Sequence, residues 1–257
     1  MRQNIYQAKL LFGIIFLLIL ITLLVSDNKA FSSTNLSQKQ LEDFTRSITV
    51  RIFSKDESGL NSGSGILIRR QKGHYLVLTN NHVVANKNNS YQIQTPDGRE
   101  YPGKIITTTK FENDISYLTF PSLNKKYQVI NLNKTFNAKI GQNVIAGGFP
   151  IEDDLTQSNQ FHVTRGQIAL TSDRPFVGGY QIGYTNLVKN GMSGGPLLNR
   201  QGELIGINGI GKYPLFGNPY IFKDGSTVSD QEWTKMSKLS WAIPIKYILP
   251  LPNFSAM

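Results

Sequence analysis

The chain has 257 residues, 40% of them hydrophobic, which suffices for one large or two small domains around a substantial core and excludes an intrinsically disordered protein. It contains no cysteine, so disulfides, thiolate metal sites and a cysteine nucleophile are excluded. Lysine and arginine exceed aspartate and glutamate by ten, but no long basic run with interleaved aromatics occurs. We therefore interpret the charge as a solvated basic surface and expect no nucleic-acid partner.

The N-terminus carries the pattern of an export signal. Residues 10–25 are apolar apart from Gly13 and Thr22, and Arg2 and Lys9 precede them. This pattern predicts that the bulk of the chain lies outside the cytoplasm, periplasmic or secreted. The run is slightly long for a signal-peptide core and slightly short for a spanning helix of about 20 residues. We expect residues 1–30 to be either a signal peptide or a retained membrane anchor, followed by a linker over residues 31–45.

From about residue 46 the sequence consists of short strand patterns separated by turn signals, and long helices are absent. Two sets of about six strands predict an all-β protein of two tandem six-stranded antiparallel β-barrels, over residues 46–130 and 131–257. Two short helices are predicted over residues 230–238 and 245–249. The predicted strands are 48–53, 65–70, 75–79, 91–95, 100–109 and 115–120, and then 143–146, 161–171, 179–185, 195–198, 204–210 and 239–243.

A serine between glycines is the most informative local feature. Residues 190–197 read NGMSGGPL, and glycines there allow a tight turn that points backbone N–H groups at one place around Ser193. Two further candidates precede it in the chain, His82 within TNNHVV and Asp114 within NDISYL. Acyl transfer by serine needs a base and a carboxylate that orients the base, which His82 and Asp114 supply. Taken singly, each of the three could be an ordinary turn or capping residue.

The spacing predicts that His82 and Asp114 belong to the first barrel and Ser193 to the second, so the active site would lie in the crevice between them. His74 and His162 are interpreted as packing or surface residues. Without a supporting carboxylate cluster, three histidines make a metal site improbable, so we expect neither a metal ion nor another cofactor.

Together with GSGI at residues 63–66, LIGIN at 204–208 and WAIP at 241–244, these motifs resemble the trypsin-like serine proteases, in particular the HtrA/Deg-type protease domain. The resemblance covers roughly residues 46–249. It implies a double β-barrel, hydrolysis of peptide bonds and a catalytic triad of His82, Asp114 and Ser193. It also implies an oxyanion hole formed by the N–H groups of Gly191 and Ser193. We expect no PDZ-like domain in this chain.

Met192 departs from the family pattern. Digestive trypsin-like enzymes carry an aspartate at this position, which pairs with a newly cut N-terminus, and HtrA-type enzymes usually carry an asparagine. Methionine cannot form that ion pair. The sequence therefore predicts that cleavage at the N-terminus does not activate the protein.

Substrate recognition is predicted from the neighbouring segments. By resemblance, the strand formed by Gly206, Ile207, Asn208 and Gly209 lines the substrate channel. The specificity pocket is expected to be built by residues 184–188 and 206–209, where Asn186, Leu187 and Asn208 indicate a neutral, small-to-medium pocket. Residues 212–238 form an insertion between two second-barrel strands. Its aromatics either overhang the pocket and shape substrate choice or pack on one another in a surface loop; they are Tyr213, Phe216, Tyr220, Phe222 and Trp233.

The sequence thus predicts a serine endopeptidase that acts on protein or peptide substrates outside the cytoplasm. One alternative is a catalytically inactive, protein-binding module on a protease scaffold. Another is a basic surface protein that binds wall polymers or anionic lipid.

Overall fold

The computed structural model describes residues 35–56, 59–86, 88–106, 112–132, 138–151, 160–214, 217–248 and 251–252. The chain divides into two compact units, residues 1–35 and 36–257, and both barrels belong to the second. The predicted signal or anchor over residues 1–30 lies outside the described residues. Within the described ranges, the helices are all too short or too polar to cross a bilayer.

Twelve strands form two closed barrels, in the neighbour orders β1-β2-β3-β6-β5-β4 and β10-β11-β12-β9-β8-β7, and all pairings are antiparallel. The predicted architecture of two tandem six-stranded β-barrels is therefore confirmed. The first barrel comprises β1 (Thr49–Asp56), β2 (Gly59–Gln71), β3 (His74–Thr79), β4 (Tyr91–Gln94), β5 (Glu100–Ile106) and β6 (Ser116–Pro121). The second comprises β7 (Asn143–Gly148), β8 (His162–Thr171), β9 (Ile182–Tyr184), β10 (Pro196–Asn199), β11 (Leu204–Ile210) and β12 (Ser240–Pro244).

The tight turns form where the sequence indicates them. Lys72 and Gly73, with φ of 47° and 78°, join β2 to β3 in a two-residue turn that needs a positive φ at both positions. Gly98 has φ of 83°, and its N–H donates to the Thr95 carbonyl between β4 and β5. These turns set the strand register, because a slip of one residue would exchange the two faces of each strand.

Strands near the junction of the barrels are buried on both faces, so they read as continuous apolar runs. In β3, Tyr75 and Val77 belong to the core inside the first barrel. Leu76 and Leu78 point the other way and join a second cluster, which contains Trp241 and other residues of the second barrel. This shared cluster fixes the two barrels against each other.

A helix that the sequence analysis missed precedes the first strand. Helix α1 (Gln38–Ile48) begins at a capping box in which Ser37 and Gln40 satisfy each other's backbone N–H groups. Leu41 and Ile48 on this helix are buried in the cluster shared by both barrels. The linker predicted over residues 31–45 is therefore wrong for residues 38–45, whose apolar positions recur at helical spacing and pack on the core.

Helix α2 (Asp230–Met236) and a 3₁₀ turn (Ile245–Tyr247) match the two short helices that the sequence predicts. Helix α2 lies in the insertion. Tyr220 of the insertion is fully buried and packs against Phe176 and Trp241, with ring centroids 5.7 and 5.8 Å apart. Phe222 packs on Phe176 at 4.8 Å, whereas the Tyr213 side chain is 62% exposed.

Candidate active site

The three predicted catalytic residues come from turns at the ends of strands. His82 begins a short 3₁₀ turn (His82–Val84) after β3, Asp114 lies two residues before β6, and Ser193 lies in the turn that leads into β10. His82 and Ser193 line the same cleft, a cavity of about 400 Å³. The structure therefore brings residues of both barrels to one cleft.

Asp114 holds His82 by two hydrogen bonds. The His82 backbone N–H donates to Oδ1 at 2.8 Å, and ring Nδ1 lies 2.6 Å from Oδ2. An ionised carboxylate only accepts hydrogen bonds, so Nδ1 carries the proton and Nε2 remains as the ring acceptor. Asn80 also donates to the Asp114 carbonyl at 2.9 Å. The Asp114 side chain is 15% exposed and that of His82 is 48% exposed, which leaves the ring accessible from the cleft.

The ionised form of Asp114 is favoured despite its burial. Burial raises the pKa of the carboxyl group, but hydrogen bonds from the His82 ring and backbone, the His82 charge and a hydrogen bond from Tyr180 outweigh it. The net result is a pKa of Asp114 below its ordinary value. A carboxylate in this state can stabilise a positive charge on the His82 ring.

Ser193 Oγ donates to the Gly209 carbonyl at 3.1 Å. In the described part of the chain no hydrogen bond joins this hydroxyl to His82. Since Ser193 and His82 line one cavity, a change of the Ser193 χ1 rotamer is the movement that could bring Oγ toward the ring.

The turn around Ser193 is fixed by its carbonyl groups. The carbonyl of Asn190 accepts from Ile151 N at 2.8 Å, and that of Gly191 accepts from Ser64 Oγ at 2.8 Å. The carbonyl of Met192 accepts from Gly195 N, and that of Ser193 accepts from Ser64 N. Four consecutive peptide groups are therefore held in one orientation.

The same turn leaves two N–H groups without acceptors. Met192 N donates to Lys189 O and Gly194 N to Asn208 O. The N–H groups of Gly191 and Ser193 have no hydrogen-bond partner among the described residues. Gly191 also has φ of 89°, a conformation that L residues with side chains rarely adopt. Two unpaired donors beside one hydroxyl are what an oxyanion hole requires.

Met192 is an apolar anchor for this turn. Its side chain is 1% exposed and joins the core inside the second barrel. Any Cβ at Gly148 would lie 2.8 Å from Met192 Cα, so the close approach of β7 requires glycine there. Hydrophobic packing of the Met192 side chain therefore holds this turn on the second barrel.

The structure does not place the predicted pocket amides in the cleft. Asn186 is fully buried and donates to the Thr164 carbonyl at 2.8 Å. Asn208 is fully buried, accepts from Tyr184 OH at 2.8 Å and donates to the Gly147 carbonyl at 3.1 Å. Both amides satisfy groups inside the second barrel, so the prediction of a pocket lined by their side chains is wrong.

Only the last residue of the predicted substrate strand, Gly209, reaches a free edge of β11. Gly206 and Ile207 pair with β10 on one side and β12 on the other, so they offer no free edge. Beyond Asn208 the pairing with β10 ends, and Ile210 pairs only with Trp241 of β12. The edge that could receive a peptide backbone therefore begins at Gly209. Leu187, 50% exposed, stays at the surface.

Tyr180 is a residue of this site that the sequence analysis missed. Its hydroxyl donates to Asp114 Oδ2 at 2.5 Å from the segment between β8 and β9. No local pattern marks it, because the contact depends on how this segment of the second barrel crosses to the first. Of the other histidines, His74 lies in the β2–β3 turn and His162 begins β8, consistent with packing or surface roles.

Two closed barrels with serine, histidine and aspartate at their junction define the trypsin-like class of protein. The chain belongs to the trypsin-like peptidase family, since the model described as "Trypsin-like peptidase domain" matches residues 63–207, more than half of its length. The predicted relationship to HtrA/Deg-type proteases is confirmed by similar curated proteins.

The chain is 30% identical over 165 residues to the serine protease Do-like HtrA of Bacillus subtilis (strain 168), which covers 61% of this chain and 35% of that protein. It is 33% identical over 167 residues to the serine protease HTRA1A of Danio rerio, covering 61% and 32%. It is 33% identical over 152 residues to the periplasmic pH-dependent serine endoprotease DegQ of Escherichia coli (strain K12), covering 57% and 30%. The chain thus matches about a third of the length of these relatives. All three are serine proteases, which is the enzyme class that the sequence predicts for this chain.

Solved structures agree on the fold. The serine endoprotease from Yersinia pestis superimposes with a TM-score of 0.58 at 22% identity, covering 82% of this chain and 63% of that one. The HtrA-type protease AlgW, solved with a tripeptide, gives a TM-score of 0.60 at 22% identity, covering 83% and 62%.

Proposed function

We propose that this protein is a serine endopeptidase that hydrolyses peptide bonds of proteins or peptides through Ser193, His82 and Asp114. The observation that carries the proposal is the pair of unpaired N–H groups at Gly191 and Ser193, in a turn whose carbonyl groups are all held by hydrogen bonds. Four fixed carbonyl groups together with two unpaired donors, on residues that line one cleft, are not expected of an ordinary surface turn.

The mechanism begins with rotation of the Ser193 hydroxyl from the Gly209 carbonyl toward His82. Nε2 of His82 takes the hydroxyl proton while Oγ attacks the scissile carbonyl carbon, and Asp114 stabilises the resulting imidazolium. The carbonyl oxygen becomes an oxyanion that accepts from the N–H groups of Gly191 and Ser193. His82 then returns the proton to the leaving amine, and the Ser193 ester is hydrolysed by water that His82 activates in the same way.

The substrate backbone would pair with the free edge of β11 that begins at Gly209. An extended peptide gains main-chain hydrogen bonds there, in the manner of an added strand. This edge continues from the carbonyl to which Ser193 Oγ now donates, so a bound peptide would lie beside the nucleophile.

A fluorophosphonate probe tests the activity, since it reacts with serines activated by this arrangement. The full chain should label, and Ser193→Ala should abolish both labelling and cleavage of an unfolded protein substrate. Ser172→Ala is the matched control, because Ser172 Oγ donates only to the nearby Arg174 carbonyl. Labelling that survives Ser193→Ala, or is absent from the wild type, would reject the proposal.

The second candidate is an inactive, protein-binding module. The specific observation in its favour is the hydrogen bond from Ser193 Oγ to Gly209 rather than to His82. Under this alternative the wild type would bind an unfolded protein without cleaving it and would not react with the probe.

We also propose that the protein acts outside the cytoplasm. Support comes from the basic and apolar pattern of residues 1–25 and from the periplasmic location named for DegQ. Whether residues 10–25 remain as a membrane tether is tested by fractionation of cells that express the full chain. Recovery of the protein from the cytoplasm would contradict the proposed location.

A further inference from the structure

The carboxylate of Asp114 is held from both barrels. The first barrel contributes two hydrogen bonds from His82, to Oδ1 and Oδ2. The second contributes the hydroxyl of Tyr180, 2.5 Å from Oδ2. Tyr180 is only 5% exposed, so this bond is shielded from solvent. Tyr180, which is not one of the three predicted catalytic residues, thus also orients the carboxylate.

The space for the Tyr180 ring is made by glycines. A Cβ at Gly209 would collide with the ring and hydroxyl of Tyr180. A Cβ at Gly178, whose φ is 84°, would lie 2.8 Å from ring atom Cε2. Gly209 is also the residue whose carbonyl accepts from Ser193 Oγ, so one residue contacts both the Tyr180 ring and the nucleophile.

The Tyr180 hydroxyl is held in its protonated form, as a hydrogen-bond donor to Asp114 must be. Burial raises the pKa of its hydroxyl well above the ordinary value, and the Asp114 charge and hydrogen bond add to this effect. The hydroxyl therefore remains protonated and donates to the carboxylate. The titratable groups facing Asp114 are His82 on the first barrel and Tyr180 on the second, and Tyr184 lies beside Tyr180.

The segment that carries Tyr180 is itself braced. Its Gly178 carbonyl accepts from Asp114 N at 2.8 Å, which ties it directly to the first barrel. From the other side, Val177 N donates to Ile221 O at 2.7 Å and Lys223 N donates to Pro175 O at 3.2 Å. The insertion therefore supports the Tyr180 segment through backbone bonds and through the packing of its aromatics on Phe176.

We propose that Tyr180 is a positioning residue for acyl transfer, whose hydroxyl orients Asp114 so that Asp114 holds His82 with Nε2 toward Ser193. This inference rests on the proposed function, because it assigns Tyr180 a role in that same reaction. The insertion contributes by holding the segment that presents the hydroxyl.

The test compares Tyr180→Phe with Tyr220→Phe. Tyr220 is a matched control, since it is a buried tyrosine of the same region whose hydroxyl donates to the Met236 carbonyl and not to Asp114. For Tyr180→Phe we expect kcat to fall by about tenfold, as for loss of a hydrogen bond to a charged group, with KM nearly unchanged. The acid limb of kcat/KM reports protonation of the base, which is His82 in the proposed mechanism. It should move to higher pH, because an Asp114 carboxylate that no longer accepts from Tyr180 keeps more negative charge to stabilise the imidazolium. Tyr220→Phe should change neither.

A double-mutant cycle separates positioning from packing. If Tyr180 acts through Asp114, Tyr180→Phe should have little further effect on kcat in the Asp114→Asn background. Additive losses, or equal losses in Tyr180→Phe and Tyr220→Phe without a shift of the pH profile, would overturn the proposal. So would wild-type kinetics in Tyr180→Phe.

Should Tyr180→Phe not fold, 3-fluorotyrosine at position 180 keeps the ring and provides a stronger donor, so the acid limb should move to lower pH. An unmoved limb would overturn the proposal. Failure of the proposed function has a different signature, since the wild type itself would then show no cleavage and no fluorophosphonate labelling of Ser193.

Discussion

Ser64 Oγ donates to the carbonyl of Gly191 at 2.8 Å, although the two residues are 127 positions apart in the sequence. The same oxygen accepts from Phe149 N at 2.9 Å, and Ser64 N donates to the Ser193 carbonyl at 2.8 Å. One fully buried serine of the first barrel thereby holds the carbonyl groups of Gly191 and Ser193. It links the barrel that carries His82 to the turn that carries Ser193.

Replacing Ser64 should slow substrate cleavage by more than the accompanying loss of stability explains. Ser64→Ala leaves the buried Phe149 N–H and the Gly191 carbonyl without a partner, which we expect to cost about 1–3 kcal/mol of unfolding free energy. It should also lower kcat/KM by roughly tenfold or more, because the turn that carries the N–H groups of Gly191 and Ser193 loses its orientation. The control is Ser237→Ala. Ser237 is also buried, but its hydroxyl donates to the Thr234 carbonyl at the end of α2 and not to the turn around Ser193. Equal kinetics in the two variants would contradict the role of Ser64.

Alanine substitutions at Gly194 and Gly98 separate the energetic cost of backbone strain from that of steric collision. Their φ angles are nearly the same, 86° and 83°. A Cβ at Gly98 meets nothing within 4 Å, whereas one at Gly194 would collide with the Ser64 carbonyl and Thr79 Oγ1. Gly98→Ala should cost about 1–2 kcal/mol and leave cleavage unchanged. Gly194→Ala should cost more and abolish fluorophosphonate labelling, as measured by chemical denaturation and by the labelling rate. Labelling of Gly194→Ala at the wild-type rate would mean that the turn tolerates displacement.

Met192 should tolerate only apolar replacements. Met192→Leu roughly conserves volume, so we expect a loss below about 1.5 kcal/mol and retained labelling. Met192→Asp would bury an unpaired carboxylate in the core of the second barrel, with an expected loss of several kcal/mol and little folded protein. Thermal melting of both variants checks this expectation. A stable, active Met192→Asp would indicate that a cationic group can reach this position.

The burial of Met192 also supports the prediction that no new N-terminus activates the enzyme. Chains that begin at residue 1, 31 or 35 should cleave substrate at the same rate. A chain that begins at residue 46 lacks most of α1 and should be less stable for that separate reason. Strict dependence on one newly cut N-terminus would contradict the prediction.

Asp114 should make stability depend on pH in a defined direction. Its pKa in the folded protein is lower than the ordinary value of 3.8, so its contribution is fully present above that value and is lost as the pH falls through the folded-state pKa. The difference in unfolding free energy between wild type and Asp114→Asn should therefore be largest near neutral pH and shrink below about pH 4. Urea titrations at a series of pH values measure it. A difference that grows toward acid pH would mean that Asp114 is stabilised in its protonated form.

Local patterns in the sequence are sufficient to predict the two barrels and the turns that carry His82, Asp114 and Ser193. Strand periodicity and turn chemistry are properties of neighbouring residues, as at Lys72 and Gly73, so they can be read without the fold. Helix α1 is hard to predict because its residues are mostly polar and match the composition of a linker, so the capping box at Ser37 and Gln40 is its main local signal.

Contacts between distant segments could not be read in this way. Nothing near Tyr180 in the sequence indicates that its hydroxyl reaches Asp114, since that contact depends on the path of a segment between barrels. The sequence places Asn186 and Asn208 in a pocket for a related reason. From the sequence alone, an asparagine that bonds to backbone groups inside a barrel cannot be distinguished from one that faces substrate.

In the proposed reaction, Ser193, His82 and the N–H groups of Gly191 and Ser193 act on one oxyanion. A crystal structure of the full chain after reaction with a fluorophosphonate would test this arrangement. We expect phosphorus bonded to Ser193 Oγ, one phosphonyl oxygen within hydrogen-bond distance of both N–H groups, and Nε2 of His82 facing the adduct. A phosphonyl oxygen directed away from Gly191 N and Ser193 N, or an adduct on another residue, would contradict it.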